Sequence, residues 1–375
     1  MKTRLSIIAV LLIVSMSVWP AAAFADTGDG NEYYTVYDES GVKLTCIGGR
    51  VYIGDIYISG QNAVYEVESV DDQTKSAIAR FSGVQALSKT AYYDKYASVM
   101  SNKENRLIAL YSTHSDESYI EGDGISSDEV YGGIYDVSDE LKEKLNDMGI
   151  EVIIDYTTHH PHDAAAYTRS RSTAVSLLKN MPDAIFDIHR DGVPEDEYTT
   201  QVEGEDMTMV RLLVGRSNPN QSANKDFAAS IKANADEMYP GLIKDIFIGK
   251  GNYNQELSPR SVLLEFGTHE SDKEDVLKST EYMAEVLSKT IYGTTQLSGT
   301  ADEGILNEGR PADESSKGAG SGIAWILGIV VGGGLLLLLF VNGSGGFFDK
   351  VRRTASELTG GIIGKKPDDK ENGEK

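Results

Sequence analysis

Three apolar, strand-length runs of this sequence end at residues that hold metals or move protons. LIALYST is followed by His114, AIFDI is followed by His189, and SVLLEFGT contains Glu265 and precedes His269. In an open α/β sheet, sites form outside the carboxyl ends of the strands, so we expect these side chains to converge. One histidine at a strand end is usually a hydrogen-bonded surface residue, but three such ends together favour a site.

The residue types match a catalytic zinc centre. Such a centre takes three nitrogen or oxygen ligands and leaves the fourth position to water. His114, Glu117 and His189 supply two imidazoles and one carboxylate, with Glu117 three residues after His114. Glu265 stands in an apolar run, where burial raises the pKa of a carboxyl group. We therefore expect Glu265 to be the general base for the attacking water and then the acid for the leaving amine.

The elements that must position these residues alternate between strand and helix patterns. From 105 to 292, short apolar runs alternate with helical stretches such as 137–149 and 223–239. This order predicts an α/β domain with a largely buried, mixed sheet flanked by helices. Residues 26–104 begin with short segments rich in Val, Ile and Tyr, separated by turn residues. They predict a small N-terminal β unit followed by a connector.

The first 25 residues have the pattern of a secretory signal. MKTR is positive, LSIIAVLLIVSMSV is apolar and AAAFA is a small-residue exit, with cleavage expected after Ala25. The chain is therefore expected to be exported. Its single cysteine, Cys46, has no partner for an internal disulfide.

The other end of the chain predicts a membrane anchor. Residues 293–321 are rich in Gly, Ser, Asp and Glu and predict a flexible stalk. Residues 322–341 carry no charge, and 20 residues suffice to cross a hydrocarbon layer of about 30 Å. Basic residues follow this segment, so the positive-inside rule places 342–375 in the cytoplasm and the catalytic domain outside, in a single-pass cell-membrane protein.

The formal net charge of −23 limits the possible partners. Nucleic acid is excluded as a partner, because binding needs clustered Lys and Arg. A polyanionic cell wall would not attract this chain over long range either, but a membrane tether removes the need for such attraction.

Five segments of the chain resemble a known family. In order, they are IALYSTHSDESY, AYTRSRST, PDAIFDIHRDGVP, LVGRSNPNQSANKDFA and GNYNQELSPRSVLLEFGTHES. They resemble the marker segments of the stage II sporulation protein P family over roughly 105–290. That family is similar in fold and chemistry to zinc N-acetylmuramoyl-L-alanine amidases, which have a phosphorylase/hydrolase-like fold.

The resemblance implies a function and its partners. It implies that His114 and His189 bind Zn²⁺ and that Glu265 is the catalytic carboxylate. The substrate would be peptidoglycan, cut at the amide between N-acetylmuramic acid and L-alanine, with cross-link endopeptidase activity as an addition. The setting would be cell-wall remodelling such as sporulation engulfment, beside a glycan-cleaving lytic transglycosylase and a membrane scaffold.

The sequence departs from the family pattern at two places. Members read HTH where this chain reads STH, so Ser112 replaces the first histidine. We take His114 as the ligand because it is retained and precedes Glu117 by three residues. The related amidases take their ligand glutamate from further downstream, at the start of a helix, so Asp136 or Glu140 is the alternative to Glu117. The second departure is the anchor, which the family usually carries at its N-terminus.

Other polar residues have several possible roles. TTHHPHD (157–163) suggests a second metal site or, more simply, the rim of the main cleft. Arg190 and Arg260 are predicted to orient the carboxylates of stem peptides through bidentate hydrogen bonds. A structural salt bridge of either arginine with Glu265 is the alternative.

Two further functions compete with the amidase. A zinc peptidase that acts only on stem peptides would use the same residue types, because His-x-x-Glu with a distant His and Glu is also the pattern of metallocarboxypeptidases. A catalytically inactive wall-binding module would follow if Ser112 had broken the centre.

Overall fold

The computed structural model describes residues 33–86 and 106–293. The predicted signal segment, nearly all of the stalk, the apolar segment 322–341 and the tail lie outside the described residues. Among the helices that are described, none is both long and apolar enough to cross a bilayer.

The strands form one large sheet and one small ribbon. Eleven strands pair in the order β2-β1-β5-β4-β3-β12-β11-β13-β8-β6-β7, and β9 pairs with β10. The strands are β1 (Tyr33–Asp38), β2 (Lys43–Gly48), β3 (Ile56–Ile58), β4 (Ala63–Asp71), β5 (Ser76–Val84), β6 (Leu107–Tyr111), β7 (Glu151–Ile154), β8 (Ala184–Asp191), β9 (Thr199–Val202), β10 (Glu205–Thr208), β11 (Val210–Gly215), β12 (Ile243–Gly249) and β13 (Ser261–Thr268).

Helices cover the sheet on both sides. The four longer ones are α1 (Ile134–Asp147), α2 (Ala166–Leu178), α3 (Gln221–Met238) and α4 (Lys273–Tyr292), and shorter helical turns span Ile120–Asp123, Glu195–Glu197 and Gln255–Leu257. Apolar side chains of α1, α3 and α4 pack on one face, against residues such as Phe186, Leu212 and Leu264. Helix α2 packs on the opposite face, against Ala109, Tyr111 and Ile185. The predicted mixed sheet flanked by helices is therefore present.

Strand direction decides which residues meet. Strands β6, β7, β8 and β13 run parallel to one another, whereas β11 and β12 run the opposite way. Every residue of β8 is buried, as expected for a parallel strand covered on both faces. The carboxyl ends of β6, β8 and β13 consequently share one edge of the sheet.

The N-terminal β unit is not a separate sheet. The predicted strands form, but β3 pairs with β12, with Ile58 opposite Ile246, so that β1–β5 extend the main sheet. The far end of this extension folds back over the face that carries α2. There Gly48 lies so close to β8 that a Cβ atom would be 2.4 Å from Asp191 Oδ1. The β unit thus covers part of the same face as the residues described next.

Candidate metal centre

Two neighbouring parallel strands bring His114 and His189 together. β6 pairs with β8, with Tyr111 opposite Asp187, and His114 follows β6 by three residues while His189 lies near the end of β8. A tight turn carries the third residue, because the Glu117 N–H donates to the His114 carbonyl at 3.2 Å. All three side chains are buried. The predicted convergence at the strand ends is therefore seen for these residues.

The turn from His114 to Glu117 is held by the start of α1. The Ile134 N–H donates to the Glu117 carbonyl at 2.9 Å. Gly132 makes this approach possible, since a Cβ there would be 2.5 Å from the Ser115 carbonyl oxygen and 2.6 Å from that of Glu117. A larger residue at this position would clash with the backbone of the turn, so either the turn or the start of α1 would have to move.

The ligand atoms of the three residues face one another. The Nδ1 atoms of His114 and His189 each lie 3.2 Å from the same oxygen, Glu117 Oε1. The other oxygen, Oε2, accepts a hydrogen bond from the Arg190 N–H at 3.0 Å. One ligand atom from each of the three residues lies within 4.8 Å of the others. We call His114, Glu117 and His189 the His-Glu-His cluster.

The cluster fits a zinc ion. With Zn–N and Zn–O bonds of about 2.0–2.1 Å, two ligand atoms of a tetrahedron are about 3.3 Å apart. The 3.2 Å separations match that edge. Two imidazoles and a carboxylate are ligands that zinc commonly uses in catalytic sites.

The pKa shifts of His114 and Glu117 suit a bound cation. Burial lowers the pKa of His114, and the neighbouring His162 lowers it further, so His114 is held neutral with a lone pair to donate. Burial alone would raise the pKa of Glu117, but His189 and His114 bring it well below its usual value. Burial lowers the pKa of His189, whereas Glu117 and Asp187 raise it well above its usual value. The acidic neighbours therefore favour a protonated ring, and a metal bound at Nδ1 would displace that proton. Glu117 is therefore a carboxylate ligand in its charged form.

A carboxylate that was not anticipated orients His189. Asp187 Oδ1 lies 3.0 Å from His189 Nε2, an ion-pair contact that does not have the geometry of a hydrogen bond. Asp187 is itself fixed, because it accepts from the Thr113 N–H at 2.8 Å and from the Thr113 hydroxyl at 2.6 Å. A proton held on Nε2 leaves Nδ1 free to bind a metal. The sequence does contain a signal for this contact. Asp187 and His189 are two residues apart on one strand, so both side chains lie on the same face of the sheet.

Of the histidines in TTHHPHD, His162 is the one that touches the cluster. Its ring stacks on His114 at 3.8 Å, and its Nδ1 lies 3.0 Å from Asp116 Oδ2. His159 is buried and bonded through both ring nitrogens, to the Ser112 carbonyl and the Thr173 hydroxyl. His160 Nε2 lies 2.7 Å from the Glu129 carbonyl. Within the two described ranges, none of them belongs to a second group of three metal-ligating side chains.

Glu265 stands beside the cluster on the next strand. β13 pairs with β8, with Glu265 opposite His189, so the two side chains share a face. Glu265 is partly exposed, unlike the three cluster residues. Its neighbour on the other side is Arg211 of β11. The ring of Tyr167 completes this face, 6.2 Å from the His189 ring and 5.5 Å from the His114 ring.

The alternative third ligands lie outside the cluster. Asp136 pairs with Lys273 at 2.5 Å, and Glu140 pairs with Lys144 at 3.2 Å. Glu117 is the acidic residue that groups with both histidines. Ser112 is buried and lies outside the group, so the replacement of a histidine there leaves the three facing ligand atoms intact.

The two predicted substrate-binding arginines are placed elsewhere. Arg190 is 1% exposed, and its side chain donates to the Ser118 carbonyl at 3.2 Å and the Ser126 carbonyl at 3.0 Å. Strand alternation turns it away from the face of His189. Arg260 precedes β13 at the edge opposite His189 and donates to the Asp183 carbonyl at 2.9 Å. Neither arginine therefore shares the face of His189: Arg190 holds a loop, and Arg260 lies at the other end of β13.

Comparisons with known proteins give one matching family and several solved structures of low similarity. Residues 57–288 match the family described as Stage II sporulation protein P (SpoIIP). Stage II sporulation protein P of Bacillus subtilis (strain 168) is 24% identical over 254 residues, which cover 62% of this chain and 63% of that protein. The chain therefore matches less than two thirds of that relative's length.

Two solved amidase structures show weak similarity. The N-acetylmuramyl-L-alanine amidase Ami1 from Mycobacterium smegmatis has a TM-score of 0.35 and 16% identity, over 50% of this chain and 98% of that one. An N-acetylmuramoyl-L-alanine amidase from Clostridium difficile 630 has a TM-score of 0.33 and 14% identity, over 51% and 97%.

Proposed function

Because the chain belongs to the stage II sporulation protein P family, we propose that it is a zinc-dependent peptidoglycan hydrolase that cleaves the amide between N-acetylmuramic acid and L-alanine. The observation that carries this proposal is the His-Glu-His cluster, whose facing ligand atoms have the spacing of a zinc site. The five segments that resemble the family support the choice of substrate.

The residues at and beside the cluster would have different roles. His114, Glu117 and His189 would hold the metal, and Asp187 would keep the His189 ring oriented. Bound zinc would supply a Lewis acid that polarises the amide carbonyl and lowers the pKa of the attacking water. The partly exposed carboxylate of Glu265 stands on the same face and is the group we assign to proton transfer.

Glu265 would act twice in one turnover. It takes a proton from the water as the oxygen attacks the carbonyl carbon, and then gives that proton to the nitrogen as the C–N bond breaks. The products are a carboxylate on the muramoyl side and a free amine on L-alanine. The ring of Tyr167 forms an apolar wall that would exclude bulk water from this exchange.

Product analysis distinguishes the amidase from its rivals. Defined muropeptides are incubated with the protein, with and without a chelator, and the products are identified by mass spectrometry. We expect free lactoyl carboxylates and L-alanyl amines that disappear with the chelator. New amines elsewhere in the peptide would instead indicate a zinc peptidase, and no product with full zinc content would indicate a binding module.

Export and anchoring remain part of the proposal. We propose that the signal in 1–25 is cleaved and that 322–341 holds the catalytic domain outside the cell membrane, beside other wall-remodelling proteins of sporulation. Truncation before residue 322 should then release active protein into the medium. Full-length protein that resists protease on intact protoplasts would contradict this topology.

A further inference from the structure

A second cleft lies where the N-terminal β unit meets the loops that follow β11 and β12. It has a volume of about 500 Å³. Arg50 and Tyr52 line it from the β unit, while Arg216 and Lys250 line it from the two loops. Nothing in the proposed hydrolysis uses these residues. We call this cleft the cationic pocket.

The charge of the pocket is unusual for this chain. The protein has 58 acidic and 35 basic residues, yet three cations and one acid, Asp72, line this cleft. Two of the cations approach one aromatic ring, Lys250 at 4.3 Å and Arg50 at 5.1 Å from the centre of Tyr52. Like charges collected around one cavity favour an anionic ligand.

The three cations differ in the hydrogen bonds and ion pairs that they already form. Arg216 is fixed by buried Asp55, whose Oδ1 accepts from Nε at 2.8 Å, and by the Ile53 carbonyl. Arg50 pairs with Asp72 at 2.5 Å. Lys250 is exposed and forms no ion pair with any side chain of the described residues. Lys250 is therefore the cation with its charge available.

The wall of the pocket is partly apolar. Val51, Ile53 and Val70 line it beside the cations. A free inorganic anion would leave this surface without a partner. A carboxylate carried on an organic backbone, as in a peptide, would use both kinds of surface.

A short, tightly held loop runs from Lys250 of the pocket to contacts with α2. Tyr253 and Asn254 both adopt left-handed backbone angles, with φ of 53° and 57°. Asn254 Nδ2 donates to the Tyr167 carbonyl at 2.9 Å and to the Ser170 hydroxyl at 3.1 Å. Strained residues of this kind persist only where the surroundings fix them. The loop therefore sets the position of Lys250 relative to α2.

Ring contacts lead from this loop toward the metal centre. Tyr253 packs on Tyr167 with 5.2 Å between ring centres, and Tyr167 stacks on His189 at 6.2 Å. Two ring contacts thus separate the end of the loop from the metal centre. An extended peptide of roughly three residues, at about 3.3–3.6 Å each, covers the span of these two ring contacts from Tyr253 to His189.

We propose that the cationic pocket binds a carboxylate of an acidic peptide whose scissile amide lies at the His-Glu-His cluster. This inference rests on the proposed function and adds to it a subsite for the amine side of the substrate. Lys250 supplies the charge, Arg216 is the fixed donor beside it, and the apolar wall contacts the methylene groups of the peptide. The pocket would make the enzyme prefer stem peptides with free carboxylates to amidated ones.

The test compares Lys250→Gln with a matched control, Lys179→Gln, in the zinc-loaded full-length protein. Lys179 is an exposed lysine at the end of α2 that does not line the pocket. On a synthetic muramoyl tripeptide with free carboxylates, we expect Lys250→Gln to raise KM about 5–10-fold with kcat changed less than about two-fold, as for loss of one charge-assisted contact. The amidated tripeptide should show no such difference, and Lys179→Gln should match the wild type on both.

Direct binding separates failure of this inference from failure of the hydrolase. Calorimetry with the free tripeptide L-alanyl-γ-D-glutamyl-L-lysine needs no turnover, and Lys250→Gln should weaken its Kd by a similar factor. Inactive protein that still shows this loss would overturn the hydrolase but keep the pocket. Equal Kd and KM for wild type and Lys250→Gln would overturn the pocket. Lys250-dependent binding of a poly(glycerol phosphate) oligomer, with no binding of the tripeptide, would also overturn it.

Discussion

Two clusters of buried charged groups lie on the same face of the sheet and differ in how their hydrogen bonds are satisfied. In the first, Arg211 of β11 donates through Nε to Asp245, through Nη1 to Asp191, and through Nη2 to Thr45 and the Cys46 carbonyl. In the His-Glu-His cluster, two imidazole nitrogens share one carboxylate oxygen.

The difference separates a structural cluster from a functional one. The Arg211 cluster is closed, because its guanidinium nitrogens already meet acceptors from β8, β12 and the N-terminal β unit. It joins the β unit to the sheet and has no place for another ion. The His-Glu-His cluster is open toward a cation, because the Nδ1 atoms of both histidines face Glu117 Oε1 at 3.2 Å, the spacing of neighbouring zinc ligands. Burial and charge alone would not distinguish the two.

The largest effect should come from removing a histidine of the open cluster. His189→Ala or His114→Ala leaves a metal held by two groups, so hydrolysis of muropeptides should fall below detection, a loss greater than the roughly 10²–10⁴-fold expected for a general base. His160→Ala is the matched control, because His160 lies outside the cluster, and it should retain activity. Either cluster variant with wild-type turnover would remove that histidine from the ligand set.

The second-largest loss of activity should come from substitution of Glu265, beside the cluster. Glu265→Gln keeps the size of the side chain but removes the proton acceptor, so turnover should fall by roughly 10²–10⁴-fold with zinc retained. Glu270→Gln serves as control, because Glu270 is another carboxylate after β13, with about half of its side chain exposed. Turnover and zinc content are measured on both. Loss of activity in Glu270→Gln rather than Glu265→Gln would move the base to Glu270, and loss of zinc in Glu265→Gln would make Glu265 a ligand.

Substitution of Arg211 in the closed cluster should lower the stability of the fold but should not affect zinc binding. Arg211→Met leaves Asp191 and Asp245 buried without their counter-ion, which should lower the free energy of unfolding by about 3–5 kcal/mol. Urea denaturation measures this change. Arg80→Met, which breaks an exposed pair with Glu68, should shift the midpoint little. Zinc loss in folded Arg211→Met, without destabilisation, would contradict the division into two kinds of cluster.

The smallest effect should come from the orienting carboxylate. Asp187→Asn keeps the shape of the side chain but weakens the charged contact with His189 Nε2, so zinc affinity should fall by roughly 10–100-fold. Competition with a chelator measures the affinity. Thr113→Val removes a neighbouring hydrogen bond to the same Asp187 and should change zinc affinity much less. Equal losses in both variants would mean that Asp187 acts only by supporting the loop.

The sequence predicted the open cluster better than the closed one. Apolar runs located β6, β8 and β13, and parallel strand order brought His114 and His189 to one edge. Period-two alternation also held the information that Arg190 faces away from His189, although its charge suggested substrate binding. Arg260 directly precedes β13, so it lies at the opposite end of that strand from Glu265, a position that its charge alone did not indicate.

Pairing between distant segments explains what the sequence did not predict. The union of β3 with β12 joins residues almost 190 positions apart, such as Ile58 and Ile246, and no local pattern encodes that register. The contacts of Arg211 with Thr45 and Cys46 depend on the same union. The cationic pocket also forms only once the β unit meets the loops after β11 and β12.

Zinc stoichiometry tests the central claim most directly. We would purify the wild-type protein, Glu117→Gln and Asp136→Asn and dialyse each against trace zinc. Bound zinc is then measured by elemental mass spectrometry. The wild type and Asp136→Asn should each hold one zinc, because Asp136 is paired with Lys273, whereas Glu117→Gln should hold far less. A full equivalent of zinc in Glu117→Gln would show that Glu117 is not a ligand and that the His-Glu-His cluster is not the metal centre, and loss of zinc in Asp136→Asn would make Asp136 the third ligand.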